Sequence, residues 1–168
     1  MKQGTASVLF GCHSPIHSLV VGIAWIKLYH RLPKPWEAVC ISLHDIGHWG
    51  TDYLDNYEAK QGHWQLGAKV ARRLFGQKGY DLIAGHCSYN GQNRSLLYKP
   101  DKYSWLIAPS WWMWTNTLFE RKLIRPGKTR GQSVVDFKKA MRENWENGLT
   151  KQGHDIYLEQ WQGIVLTK

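Results

Sequence analysis

Apolar residues recur at helical spacing along nearly the whole of this chain, and alternating strand patterns are nearly absent. That periodicity predicts an all-α fold, a single-domain helical bundle over residues 1–168. The length suits one domain with a true core, and ten tryptophans, eight tyrosines and four phenylalanines can fill it. No apolar run of about 18 residues occurs, so no membrane span is expected. Residues 1–5 show no secretory signal, and a soluble, cytoplasmic protein is expected. Cys12, Cys40 and Cys87 are odd in number and lack CxxC spacing, which argues for reduced, mostly buried thiols.

The expected elements follow from breakers and caps. Ser14-Pro15 opens a helix over residues 15–31, with His17, Val20, Val21, Ala24 and Leu28 on one face. Pro33-Lys34-Pro35 separates it from a helix over 35–46. A loop over 47–56 precedes a helix over 57–75, whose Gly67, Ala68 and Ala71 form a small-residue face. Residues 76–79 end that helix, a fourth follows over 80–89, and 90–93 form a turn. Lys99-Pro100-Asp101 opens a fifth helix, which Pro109 interrupts before a Trp-rich helix over 110–122. A basic loop over 125–132 leads to helices over 133–149 and 153–162.

Within this scaffold, His44-Asp45 sits in an otherwise apolar stretch, Ala38 to His48. A buried carboxylate beside an imidazole needs its charge compensated. A divalent metal does this economically, because neutral imidazole and carboxylate are both its ligands. The candidate ligands along the chain are His17, His44, Asp45, His63, His86 and Asp101, separated by 27, 1, 18, 23 and 15 residues. Each alone reads as a core histidine, a surface residue or a helix-terminal charge; their coincidence on five predicted helices reads as a metal centre. His13 rivals His17 as first ligand, and His30 and His154 read as surface residues.

Five segments in order resemble the HD-domain superfamily of metal-dependent phosphohydrolases. They are His17-Ser18-Leu19-Val20, Leu43-His44-Asp45-Ile46-Gly47-His48, His63-Trp64-Gln65-Leu66-Gly67-Ala68, Gly85-His86 and Pro100-Asp101-Lys102-Tyr103-Ser104. The resemblance spans residues 14–105 and leaves a C-terminal extension over about 110–168 outside it. It implies a helical domain in which His17, His44, Asp45 and Asp101 hold one metal. It also implies that His63 and His86 add a second, with Asp45 bridging. Iron, manganese or zinc fits such ligands.

The expected activity is hydrolysis of a nucleotide or related phosphate ester or anhydride by metal-activated water, with Asp45 and His48 catalytic. Arg94, Lys99 and Lys102 are the candidates for holding the substrate's phosphate. A net charge of +9 favours an anionic small-molecule partner. The residues after His86 lack the Gly-Tyr-Pro of the cyclic-di-GMP subgroup, which argues against that substrate. Two other readings stay open. Some dinuclear relatives are di-iron oxygenases that cleave phosphonates or polyols with the same ligand types. The basic segment over 121–130 could instead mark a non-catalytic nucleic-acid binder. Trp111, Trp112 and Trp114 read as core residues; since adjacent Trp111 and Trp112 cannot face one way, one is exposed or lies in an interface, and a homo-oligomer stays open.

Overall fold

Eight α-helices and no strand are present among the described residues of the computed structural model, which are 1–51, 61–87, 91–151 and 156. They are α1 (Gln3–Phe10), α2 (Pro15–Tyr29), α3 (Pro35–Leu43), α4 (Trp64–Phe75), α5 (Gln77–Ala84), α6 (Tyr98–Ile107), α7 (Ser110–Phe119) and α8 (Arg130–Glu146). Single 3-10 turns occupy Ile46–His48 and Arg121–Leu123. The all-α expectation is met.

Packing follows the apolar faces. Helices α4 and α5 pack against each other, joined by Gly76 alone, and α3 rests on both. Helix α2 lies between α3 and α6, and α8 closes over α6 and α7. Val21, Trp25, Cys40, Ile41, Ala68, Ala71 and Ile83 make the principal core. A second cluster joins Val20, Ala108, Trp112, Met113 and Val134. Trp25, more than Leu28, is the deep residue of α2. Arg31 closes the end of that helix by donating two hydrogen bonds to Glu37, at 2.6 and 2.9 Å. Glu37 also accepts from the Lys34 backbone at 2.7 Å, capping α3.

Several boundaries differ from expectation. Helix α1 is an element beyond those expected; its N-terminal end is anchored where Gly4 N donates to Thr51 O at 2.7 Å. Helix α3 stops at Leu43, so His44 caps it and Asp45 lies just beyond. His63 is the cap of α4 rather than an interior residue, and residues 57–60 lie outside the described residues. Gly76, with φ of 70°, redirects the chain in one residue, so α5 starts at Gln77 and ends before His86. Helix α7 ends at Phe119, short of Lys122. Helix α8 starts earlier than expected because Thr129 and Gln132 form a capping box. The expected helix over 153–162 falls outside the described residues except for buried Ile156.

No single helix among the described residues is long and apolar enough to cross a membrane; α1 and α2 together pass by length and composition but are bent by 56°. Cys12, Cys40 and Cys87 form no disulfide. Burial pushes the Cys40 thiol up to about 11.

Candidate metal centre

Each candidate ligand sits at or near a helix end, and His17, in the first turn of α2, lies on its buried face. His44 caps α3, and Asp45 follows it with φ of −102° and ψ of 5°. His63 precedes α4, His86 lies two residues past α5, and Asp101 is in the first turn of α6. Two glycines let these ends meet. A Cβ at Gly67 would run into the Leu43 carbonyl, so its absence lets α4 press against the end of α3. A Cβ at Gly47 would run into the His63 carbonyl, so the 3-10 turn after Asp45 lies directly on His63.

The six expected residues are all buried and converge on Asp45. Its two oxygens divide them. Asp45 Oδ2 lies 3.4 Å from His17 Nε2 and 3.2 Å from His44 Nε2. Asp101 Oδ1 completes that side at 3.2 Å from His17 Nε2 and 3.8 Å from His44 Nε2. On the other side, Asp45 Oδ1 lies 3.6 Å from both His63 Nε2 and His86 Nε2. Those two nitrogens approach to 2.9 Å.

This donor set fits bound cations. Ligand atoms bonded to one metal at about 2.0–2.2 Å lie roughly 3–3.6 Å from one another, and the separations here run from 2.9 to 3.8 Å. His44 Nδ1 donates to Ile41 O at 2.7 Å, and His86 Nδ1 donates to Ile83 O at 2.6 Å. A carbonyl only accepts, so each Nδ1 carries a proton and each ring turns its Nε2 inward. His44 Nε2 is buried without a hydrogen bond of good geometry and faces carboxylate oxygens. A lone pair aimed at anionic oxygen calls for a cation between them, either a proton or a metal. His17, His44 and Asp101 form one group able to hold an ion, and His44, Asp45 and His86 another.

Without a metal, protons fill that role. Burial alone would lower His44, but Asp45 and Asp101 outweigh it and raise the imidazole to about 10. His17 is likewise raised by the same carboxylates against its burial. Burial would raise Asp45 and Asp101; His44 and His13 around the first, and Lys102 and His17 around the second, hold both well below the usual range.

The remaining expected residues are placed differently. His48 is buried between the rings of His13 and His63, at centroid distances of 3.8 and 4.5 Å, and its Nε2 is 3.9 Å from Asp45 Oδ1. Lys102 is buried and donates to Asp101 Oδ2 at 2.6 Å, fixing that carboxylate. Arg94 instead donates to Leu149 O at 3.0 Å and lies over the Tyr98 ring, and Lys99 is exposed; neither touches the cluster. His30 is exposed, and His154 lies outside the described residues. Of the tryptophans, Trp112 is buried while Trp111 and Trp114 are exposed.

Three neighbours had weaker signals. His13 and His17 both reach Asp45: His13 Nδ1 is 2.6 Å from Oδ2, although it precedes α2. Cys87 groups with His63 and His86, ligand atoms lying within 4.8 Å, and its adjacency to His86 was the sequence clue. Trp105, four residues after Asp101 on α6, stacks on His17 at 4.7 Å.

A cavity of about 470 Å³ lies between α2 and α3 and reaches Asp45 and His13. No protein-family model, curated protein or solved structure matches this chain significantly, so the all-helical fold and the buried His/Asp cluster able to hold metal stand on its own geometry.

Proposed function

We propose that this chain is a metal-dependent phosphohydrolase of the HD type, acting on a phosphate ester or anhydride. The observation that carries the reading is the division at Asp45: one carboxylate oxygen faces His17 and His44, the other faces His63 and His86. His17, His44, Asp101 and Asp45 Oδ2 would hold one cation; His63, His86 and Asp45 Oδ1 would hold a second. The order of the five HD-like segments supports hydrolysis as the chemistry. Bound cations supply Lewis-acid polarisation of a phosphoryl oxygen and a lower pKa for water.

The chain's own groups prepare that site. The Ile41 and Ile83 carbonyls fix the tautomers of His44 and His86. Lys102 occupies Asp101 Oδ2, leaving Oδ1 turned toward His17 and His44. Trp105 and Trp112 cover His17, with Trp112 at 6.5 Å, and exclude water from that side. His48, held between two imidazoles near Asp45 Oδ1, would hold or pass a proton at Nε2.

Purified protein loaded with iron, manganese or zinc should bind one to two equivalents per chain and release phosphate from an ester under nitrogen as under air. Metal binding without phosphate release, or turnover that requires oxygen, overturns the hydrolase reading; the second outcome selects oxygenation instead.

A further inference from the structure

The cavity beside the cluster has a chemistry of its own. Its walls come from α1, α2, α3 and the segments next to them, and include Val8, Leu19, Ala38, Ile41 and Ile46. Among its lining residues no lysine or arginine occurs, and beyond Asp45 and His13 the polar side chains are only the Ser18 and Ser42 hydroxyls. At about 470 Å³ it falls within the usual range of small-ligand pockets, about 300–1,000 Å³. It runs from Leu19, 64% exposed, to Asp45, 7% exposed. Leu19 belongs to a row on α2 with Ile16, Ile23 and Ile26, all exposed, at spacings that place them along one side of the helix.

A nucleoside fits these walls poorly. Its ribose hydroxyls and base edges would be buried with two serine hydroxyls as the neutral partners, and an unpaired buried polar group is costly. A polyphosphate would meet no lysine or arginine there, and the one imidazole, His13, is already engaged by Asp45 at 2.6 Å. An aliphatic chain loses nothing by entering and gains by leaving water.

We infer that the α2–α3 cavity holds the apolar arm of the substrate, so that the substrate class is an aliphatic phosphate ester whose chain lies along α2 and whose phosphate lies at Asp45. This rests on the phosphohydrolase reading for the reaction, but the assignment of the cavity is tested by binding. Gly22 offers the test position. It lines the cavity from α2, and a Cβ there meets no atom within 4 Å, so a larger side chain projects into open space without a clash. Ala38 lines the cavity from α3.

The probes are methyl, butyl and octyl phosphonate and adenosine monophosphate, titrated calorimetrically into the manganese-loaded full chain under nitrogen. Release of phosphate from methyl, butyl and octyl phosphate is followed in parallel. Phosphonate affinity should rise about fourfold for each methylene fully buried, with a heat-capacity change that grows more negative with chain length. Gly22→Phe should cost octyl phosphonate about tenfold or more in affinity, equivalent to roughly two lost methylenes, and compress the octyl-to-methyl ratio. Ala38→Phe gives the same readout from the opposite wall should Gly22→Phe lose its helical circular dichroism. Affinity independent of chain length, tighter binding of adenosine monophosphate than of octyl phosphonate, or full octyl affinity in both folded variants overturns the inference. Chain-length-dependent binding without phosphate release leaves the cavity assigned and removes the hydrolase reading. Phosphate release from esters of every length alike does the reverse.

Discussion

Asp45 is the residue on which both halves of the cluster depend, because each of its oxygens faces a different pair of imidazoles. Asp45→Ala removes both contacts at once, so turnover and most bound metal should disappear; elemental analysis and phosphate release measure the two losses. Unchanged activity in that variant is incompatible with the site. His63 and His86 touch only the Oδ1 side of the carboxylate. If two cations bind as proposed, their replacement by alanine should therefore lower metal content from two equivalents toward one, while His17→Ala should strip the Oδ2 side first. Identical stoichiometry in all three variants counts against two separate positions. His48 Nε2 lies 3.9 Å from Asp45 Oδ1, beyond hydrogen-bond distance, so His48→Ala should slow turnover while metal content stays at the wild-type level.

The same cluster is assembled from helix ends, and this sets what happens when the helices shift. Helix α4 lies on the end of α3 because Gly67 carries no Cβ where the Leu43 carbonyl passes. Gly67→Val should push α4 outward and cost about 1–3 kcal/mol, the usual penalty of overpacking. A denaturant titration reads that loss. Because His63 caps α4 and His44 caps α3, the displacement should also weaken metal retention, measured by competition with a chelator. Wild-type stability and retention together would mean that the close approach is unimportant.

For the whole molecule, the buried charges make stability depend on pH and on metal together. His44 is raised to about 10 from an ordinary 6.5, and His17 is raised as well. A raised imidazole stabilises the fold fully below about 6.5, and that contribution fades as pH climbs toward the folded value. The lowered carboxylates act at the other end: their contribution is present above about 3.8 and is lost as pH falls further. The metal-free chain should therefore lose Tm steadily from pH 6.5 to 9. Metal replaces the protons, so the Tm gain from added manganese or zinc should widen over the same interval. Thermal scans with and without metal at several pH values decide this; a metal-free Tm that rises over that interval contradicts the arrangement.

What the sequence by itself determined was the helical class and the identity of the converging side chains. The first follows from apolar spacing, which is a local property. The second follows because burying His44-Asp45 demands compensation wherever the stretch packs. Helix ends were less legible: Gly76 redirects the chain alone, and the Thr129–Gln132 cap starts α8 before the serine expected to begin it. Only tertiary structure decided which oxygen of Asp45 faces which imidazole, that Lys102 is bound to Asp101, and that His13 lies against Asp45 from outside any helix. Only tertiary structure, too, opened an apolar cavity beside the charges. These are contacts between residues distant along the chain, and local spacing carries no information about the angle at which two helices meet.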